Sequence, residues 1–272
     1  YQAMINPCFI KTDARDNTII TITGKNFKDY IENSFEEHIV QGIFNKFNKE
    51  FKFSKWIKAD KAIKEMKENK WYGWRQAEWA GWFLEYRFSS FIGNEKCQNI
   101  VMYVGDVKNE KVNKVDFDLF FKKDNFYGDL KSSDISKKEI LGNDKRNVLE
   151  AIKKYGKLWY IIYEHETIKD INKNSEMAIR RMELIGQKYE AGGKISYKSR
   201  MKRSVKFEKM RIIEINEINM NDLLQDFEQG KQPTGEKRNK KIKINKDKLD
   251  QYIKKYEDNF LIFSYKANVE VK

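Results

Sequence analysis

The sequence predicts an α/β fold of the α+β kind, with a mixed central β-sheet packed between helices, an N-terminal helical region and C-terminal additions. Three observations predict it. Between residues 71 and 165 the hydrophobic periodicity runs in the order helix, three strands, helix, strand. The last of these strands, Leu158-Trp159-Tyr160-Ile161-Ile162-Tyr163, is apolar almost throughout, the pattern of a strand covered on both faces. A chain of 272 residues that is 40% apolar also has enough material for a sizeable core. The expected organisation is therefore a core over residues 71–170, preceded by a strand and helical region over 1–70 and followed by a basic region over 171–272.

Along the chain, Thr18-Ile19-Ile20-Thr21-Ile22-Thr23 followed by Gly24 alternates β-branched residues as a short strand does. From Asn26 to Asn48, Phe27, Tyr30, Ile31, Phe35, Ile39, Ile43, Phe44 and Phe47 recur at steps of three and four and predict an amphipathic helix. A second helix is expected from Ser54 to Lys67, with Lys58, Lys61, Lys64 and Lys67 on its outer face, either solvated or tracking a phosphate backbone. The stretch Trp71 to Tyr86 has too many aromatics for a surface helix and should be central. Its Glu78 and Glu85 are seven residues apart, about 20° from alignment on an α-helix, so both can point one way or pair with Arg75 and Arg87. Asn99 to Gly105 reads as a strand. Val115 to Phe121 and Phe126 to Leu130 flank the turn Lys122-Lys123-Asp124-Asn125 as a β-hairpin. A helix over Asn143 to Tyr155 follows, with Asn143 the candidate N-cap and Gly156 its stop.

Beyond Ile168, a helix from Asn174 to Tyr189 is broken at Ala191-Gly192-Gly193. A basic run (Lys198, Arg200, Lys202, Arg203, Lys206, Lys209, Arg211) leads into a strand over Arg211 to Ile215. The segment Gln229 to Lys241, carrying Gly230, Pro233 and Gly235 among its basic residues, is expected to be an extended loop. The end of the chain reads as two strands around a helix near Asp247 to Tyr256.

The hairpin carries acid where a half-buried strand should be apolar. Asp116 and Asp118 share one face of the first strand, and Asp129 and Lys131 share one face of its partner. Crowding two carboxylates is unfavourable unless something positive lies between them. A hard divalent cation such as Mg²⁺, with Mn²⁺ an acceptable substitute, suits such oxygen ligands. Lys131 would then hold or help deprotonate the water that attacks phosphorus.

Asp118, ten intervening residues and Asp129-Leu130-Lys131 resemble the signature of PD-(D/E)xK nucleases, and residues 71–165 resemble the type II restriction endonucleases of that superfamily. The resemblance implies a restriction-endonuclease-like core and an enzyme that hydrolyses double-stranded DNA at a specific sequence, leaving 5′-phosphate ends, as part of restriction-modification. It implies a metal held by Asp118, Asp129 and the Leu130 carbonyl, with Lys131 catalytic. An extra acid from the preceding helix is implied too, Glu78 first and Glu85 as the alternative. It also implies a homodimer on a twofold-symmetric site. Asp116 is the alternative first ligand, whereas the second Asp-x-Lys, Asp106-Val107-Lys108, has no upstream aspartate partner.

Lys and Arg exceed Asp and Glu by 54 to 41, a net charge of +13 that favours a polyanionic partner, although Lys-, Ile- and Asn-rich usage is also what an AT-rich genome produces. Contacts to DNA are expected from Lys198, Arg200, Arg203, Lys231, Gln232, Arg238, Asn239 and Lys240. Of these, Gln232, Arg238 and Asn239 can read base edges, and the lysines suit phosphates. Other classes are disfavoured. No apolar run is long enough for a membrane span. Cys8 and Cys97 are too few for a zinc site, and His38 and His165 too few for a histidine-metal nuclease. The absence of a Gly-Lys-Ser/Thr phosphate loop argues against a nucleotide cofactor. With no signal-peptide pattern, a reducing cytoplasm is the expected compartment. Two alternatives stay open: a structure- or modification-dependent nuclease, and a non-catalytic DNA-binding protein with a nuclease-like core.

Overall fold

The computed structural model describes residues 39–51, 53–95, 97–105, 117–170, 201–230 and 238–266, two short strands near the N-terminus, and positions 179, 182–184, 186 and 235. The chain forms two compact units, Tyr1–Lys46 and Phe47–Lys272. In the first, β1 (Cys8–Lys11) and β2 (Ile19–Ile22) pair antiparallel with Cys8 opposite Ile22, so the β-branched run is a strand as expected. Of the helix expected over 26–48, residues 39–50 are helical (α1), and 26–38 lie outside the described residues. The helix expected over 174–189 also falls largely outside them.

The second unit takes in the last turn of α1 and continues with β3 (Ile57–Lys58) and α2 (Ala59–Glu68). The helix expected from Ser54 starts five residues late. Ser54 has φ +62°, and Ile57 and Lys58 pair with Val205 and Ser204, so a distant strand captures residues that local periodicity assigned to the helix. The aromatic stretch is a 3₁₀ turn, Tyr72–Arg75, an extended Gln76, and then α3 (Trp79–Asn94). Gly73 makes the break possible, because a Cβ there would collide with the Trp82 ring.

After α3 come β4 (Val101–Tyr103), β5 (Leu119–Phe121), β6 (Phe126–Asp134), β7 (Glu139–Asp144), α4 (Lys145–Tyr155), β8 (Lys157–Lys169) and β9 (Lys202–Asn216). A helical turn (Met220–Leu223), β10 (Leu224–Phe227), β11 (Lys241–Asn245), α5 (Lys246–Phe260) and β12 (Leu261–Lys266) complete it. The large sheet has the order β12-β9-β8-β6-β5-β4, with β3 also on β9. Its described pairs are antiparallel except β6 with β8, which are parallel and joined through α4. A second sheet, β10-β11-β7, was not foreseen. The expected boundaries at 70/71 and 170/171 do not divide the large sheet, which takes strands from all three segments.

β8 shows why its sequence is so uniformly apolar. Tyr163 faces an aromatic layer of Phe47, Phe51 and Phe207, with ring centroids 6.0–6.4 Å away, and gives its hydroxyl hydrogen to Asn48 at 2.8 Å. Leu158, Tyr160 and Ile162 face the other way, onto Val148 and Ile152 of α4, Ile242 and Ile244 of β11 and Leu249 of α5. Each such side chain contributes about 1.5–3 kcal/mol when removed from water, so a polar residue on either face would need its own partner. The strand also continues well past Tyr163, to Lys169, because β9 pairs with it along its whole length. For the same reason β9 starts at Lys202, nine residues before the strand read from sequence. His165, expected at a strand exit, is consequently interior and fully buried.

Candidate active site

The turn Lys122–Asn125 closes the expected hairpin, with Asn125 at φ +56° and Phe121 paired to Phe126. Leu119 pairs with Gly128, and the same register carried one residue further sets Asp118 across from Asp129. There the ladder ends and Asp118 replaces it with its side chain, Oδ2 accepting the Leu130 N–H at 2.9 Å. The Asp118 backbone is tied on the other side, its carbonyl accepting the Val104 N–H at 2.7 Å. A strand residue directs its N–H and C=O to the same edge, so the Leu130 carbonyl faces the side that Asp118 occupies. Asp129 is 1% exposed and its Oδ2 is in contact with the Lys131 ammonium. Its Oδ1 accepts from Asn143 Nδ2 at 3.2 Å.

Electrostatics shows the acids to be crowded. Burial pushes the Asp118 carboxyl well above the usual carboxylate range, the charges of Asp129 and Glu85 push it further, and Lys131 and the Leu130 N–H only partly oppose them. Burial disfavours the Lys131 ammonium, but Asp129, Asp118 and Glu85 outweigh it and raise that amine above its ordinary value. Lys131 is therefore a cation at neutral pH. Tyr103 Oη donates to Glu85 Oε2 at 3.0 Å and shares a hydrogen with the Tyr72 hydroxyl at 2.8 Å. Burial, followed by the Glu85 and Asp118 charges, makes Tyr103 harder to ionise.

The acid of α3 that reaches this cluster is Glu85, not Glu78. Glu78 precedes the first helical residue, its side chain is 78% exposed, and its carboxylate pairs with Lys202 at 2.7 Å. Two turns of α3 separate it from Glu85, and the chain just before it, at Gln76, is extended and not helical. Asp116 and the Asp106-Val107-Lys108 triplet lie outside the described residues. Among the described residues no group of three His, Cys, Asp or Glu side chains is arranged as a metal cage. The donor set is nonetheless all oxygen and over-rich in negative charge, as a hard divalent cation requires.

Of the residues expected to touch DNA, Lys198, Arg200, Lys231 and Gln232 lie outside the described residues. Arg203 and Arg238 are exposed. Asn239 gives Nδ2 to Asp144 at 3.0 Å, and Lys240 pairs with Glu228 at 2.7 Å and takes the Lys145 N–H on its carbonyl at 2.9 Å. These bonds close the loop onto the start of α4, bordering a groove of about 640 Å³ lined by Asp144, Lys145, Arg146, Asn147, Leu149, Glu150, Asn239 and Lys240. The described part of the basic run is largely engaged within the protein: Lys206 pairs with Glu166 and Glu208, Lys209 lies near Glu164, and Arg211 is buried on Glu164. As a strand, this run alternates cations against the acids of β8, which a linear reading cannot show.

Asn143 and Tyr160 were not anticipated as site residues. Asn143 was expected to cap a helix, but α4 begins at Lys145 and the N-cap position is Asp144, leaving the Asn143 side chain to turn inward. Tyr160 looked like core, and only its register opposite Asp129 brings it to the site. Among the described residues no helix is long and apolar enough to cross a membrane. No family model, curated protein or solved structure matches the chain.

Proposed function

We propose that this protein is a metal-dependent phosphodiesterase acting on nucleic acid. The more particular reading is a sequence-specific endonuclease of double-stranded DNA, of the type II restriction kind, that works with Mg²⁺ or Mn²⁺, leaves 5′-phosphate ends and acts as a homodimer. The observation that carries it is the convergence of Asp118, Asp129 and Lys131 at the open end of one hairpin, with a carboxylate excess that Lys131 does not neutralise. The order α3-β4-β5-β6-β7-α4-β8, in which β7 pairs into the second sheet and β8 lies parallel to β6, supports a restriction-endonuclease-like core.

Asp118, Asp129 and the Leu130 carbonyl would hold the cation, and Glu85 takes the place first assigned to Glu78. When bound, the cation supplies Lewis-acid polarisation of the phosphoryl oxygens and lowers the pKa of a coordinated water. Lys131, an ammonium beside Asp129, would orient the attacking water and offset charge on the phosphorane. The test is cleavage of mixed-sequence duplex DNA with Mg²⁺ by wild type and Asp129→Ala. Cleavage by wild type alone supports the assignment. Equal cleavage by both, or none by either across many sequences, removes it.

One observation favours a second reading, a DNA-binding protein with a nuclease-like core and no catalysis: the Lys131 ammonium lies against Asp129 and no three-acid cage is formed among the described residues. Tight DNA binding without calorimetric Mg²⁺ or Mn²⁺ binding is the result that reading requires.

A further inference from the structure

We infer that Asn143 is a positioning residue for Asp129, itself oriented by Tyr160. This rests on the proposed metal site and adds a part to it. Asn143 is 8% exposed, at the inner end of β7, and bridges two buried groups: Nδ2 donates to Asp129 Oδ1 and Oδ1 accepts from the Tyr160 hydroxyl, both at 3.2 Å. The amide has only one satisfactory orientation. Asp129 Oδ1 takes the NH₂, so the carbonyl is left for Tyr160, whose hydroxyl donates. Tyr160 is fully buried in β8, directly opposite Asp129 in the parallel register.

The surrounding chain is shaped to deliver this amide. At Gly142 a Cβ would run into Ile242 and lie 3.1 Å from the Tyr160 hydroxyl, so the residue before Asn143 leaves room for the bridge. On the other side, Asp144 points outward to Asn239 and pairs in register with Lys241 of β11. The second sheet thus anchors β7 where Asn143 reaches the acid cluster. With one carboxylate oxygen fixed by Asn143, the other is aimed at Lys131. Asp129 would thus offer a ligand oxygen whose carboxylate is already oriented by Asn143, and outer partners of this kind typically account for about 10- to 100-fold in metal affinity.

The experiment is Mn²⁺ titration of the full metal-free chain by calorimetry, well below the melting temperature, for wild type, Asn143→Ala, Tyr160→Phe and the core control Ile152→Val. Asn143→Ala is expected to weaken Mn²⁺ binding by about 10- to 100-fold and Tyr160→Phe by less. Ile152→Val should melt earlier but bind Mn²⁺ as wild type does, which separates positioning from loss of stability. If wild type binds Mn²⁺ and both site variants bind it equally tightly, the positioning role is overturned and the proposed function stands. If wild type binds no Mn²⁺, the proposed function falls and the positioning role with it. Tyr160→Phe removes a single oxygen and decides the matter should Asn143→Ala not fold.

Discussion

Two clusters of ionised side chains lie along β6 and β8, one at Asp129 and the other at Glu164, which pairs with Ser133 four residues further along β6. They are built on opposite principles. In the second, Glu164 is buried between Arg211 at 2.8 Å and Lys246 at 2.8 Å, with Lys209 at 3.8 Å, and Asp250 takes the other side of Arg211. Burial pushes the Glu164 carboxyl up, but Arg211, Lys246 and Lys209 outweigh it and hold the group below the usual carboxylate range. In the first, burial pushes Asp118 up, Asp129 and Glu85 push it further, and Lys131 with the Leu130 N–H fails to compensate. One network is electrostatically closed and belongs to the fold. The other is open: among the described residues its crowded acids outweigh the cation beside them.

The comparison is broken most directly by removing one member of each cluster. On the proposed nuclease reading, Asp129→Ala should lower cleavage at least about 1,000-fold, since a bound cation and an oriented water would contribute several kcal/mol to the transition state. Its urea midpoint should stay near wild type, because crowding is relieved as a bond is lost. Arg211→Met should do the reverse: it leaves Glu164 buried without its main partner, at a cost of about 3–5 kcal/mol, while the folded fraction should keep whatever cleavage the wild type shows. If Asp129→Ala unfolds as readily as Arg211→Met, the distinction between the two clusters is wrong.

His165 tests the closed side by pH. The ring is fully buried, with Nδ1 2.9 Å from Thr167 Oγ1 and a T-shaped contact to Phe207 at 5.4 Å between centroids. Burial, helped by the Lys202 charge, presses its pKa down to about 4. The folded protein therefore keeps a neutral ring while the unfolded chain takes up a proton below about pH 6.5. Stability from this group is complete above pH 6.5 and is lost as pH falls toward 4, by about 3 kcal/mol in total. Urea unfolding at pH 7.5 and 4.5 measures it, and His165→Gln should flatten that dependence. An unchanged slope in the variant would assign the acid sensitivity elsewhere.

The open cluster was partly legible in the sequence, because acids two residues apart in an aromatic hairpin violate the local pattern. Asp118, Asp129 and Lys131 stand out on that ground alone, and alternation brings them to one place. Glu85 was harder to choose over Glu78, since a seven-residue separation puts both on one face of an ideal helix and nothing local reveals that α3 starts only at Trp79. Asn143 was hidden by a stronger local signal, its merit as a helix cap. The closed network was invisible: Lys206, Lys209 and Arg211 read as a basic run until β9 is laid against β8 and each cation meets an acid that lies 40 to 47 residues earlier in the chain.

The smallest expected effect is the most discriminating. Asp118→Asn keeps an acceptor for the Leu130 N–H and removes only the charge. Because the folded pKa of Asp118 is raised, protonation favours the fold: its stabilising effect is complete below the unfolded value near pH 3.9 and disappears as pH rises through the folded value. At pH 8 without metal, the variant should melt about 2–4 °C above wild type, the shift that roughly 1 kcal/mol produces in a domain of this size. At pH 4 the two should coincide. Glu164→Gln should show the opposite sign at pH 8, melting lower, because its charge is matched by Arg211 and Lys246. Addition of Mn²⁺ should then raise the wild-type midpoint and leave that of Asp118→Asn unmoved. A cation can replace the proton only where the carboxylate is there to receive it.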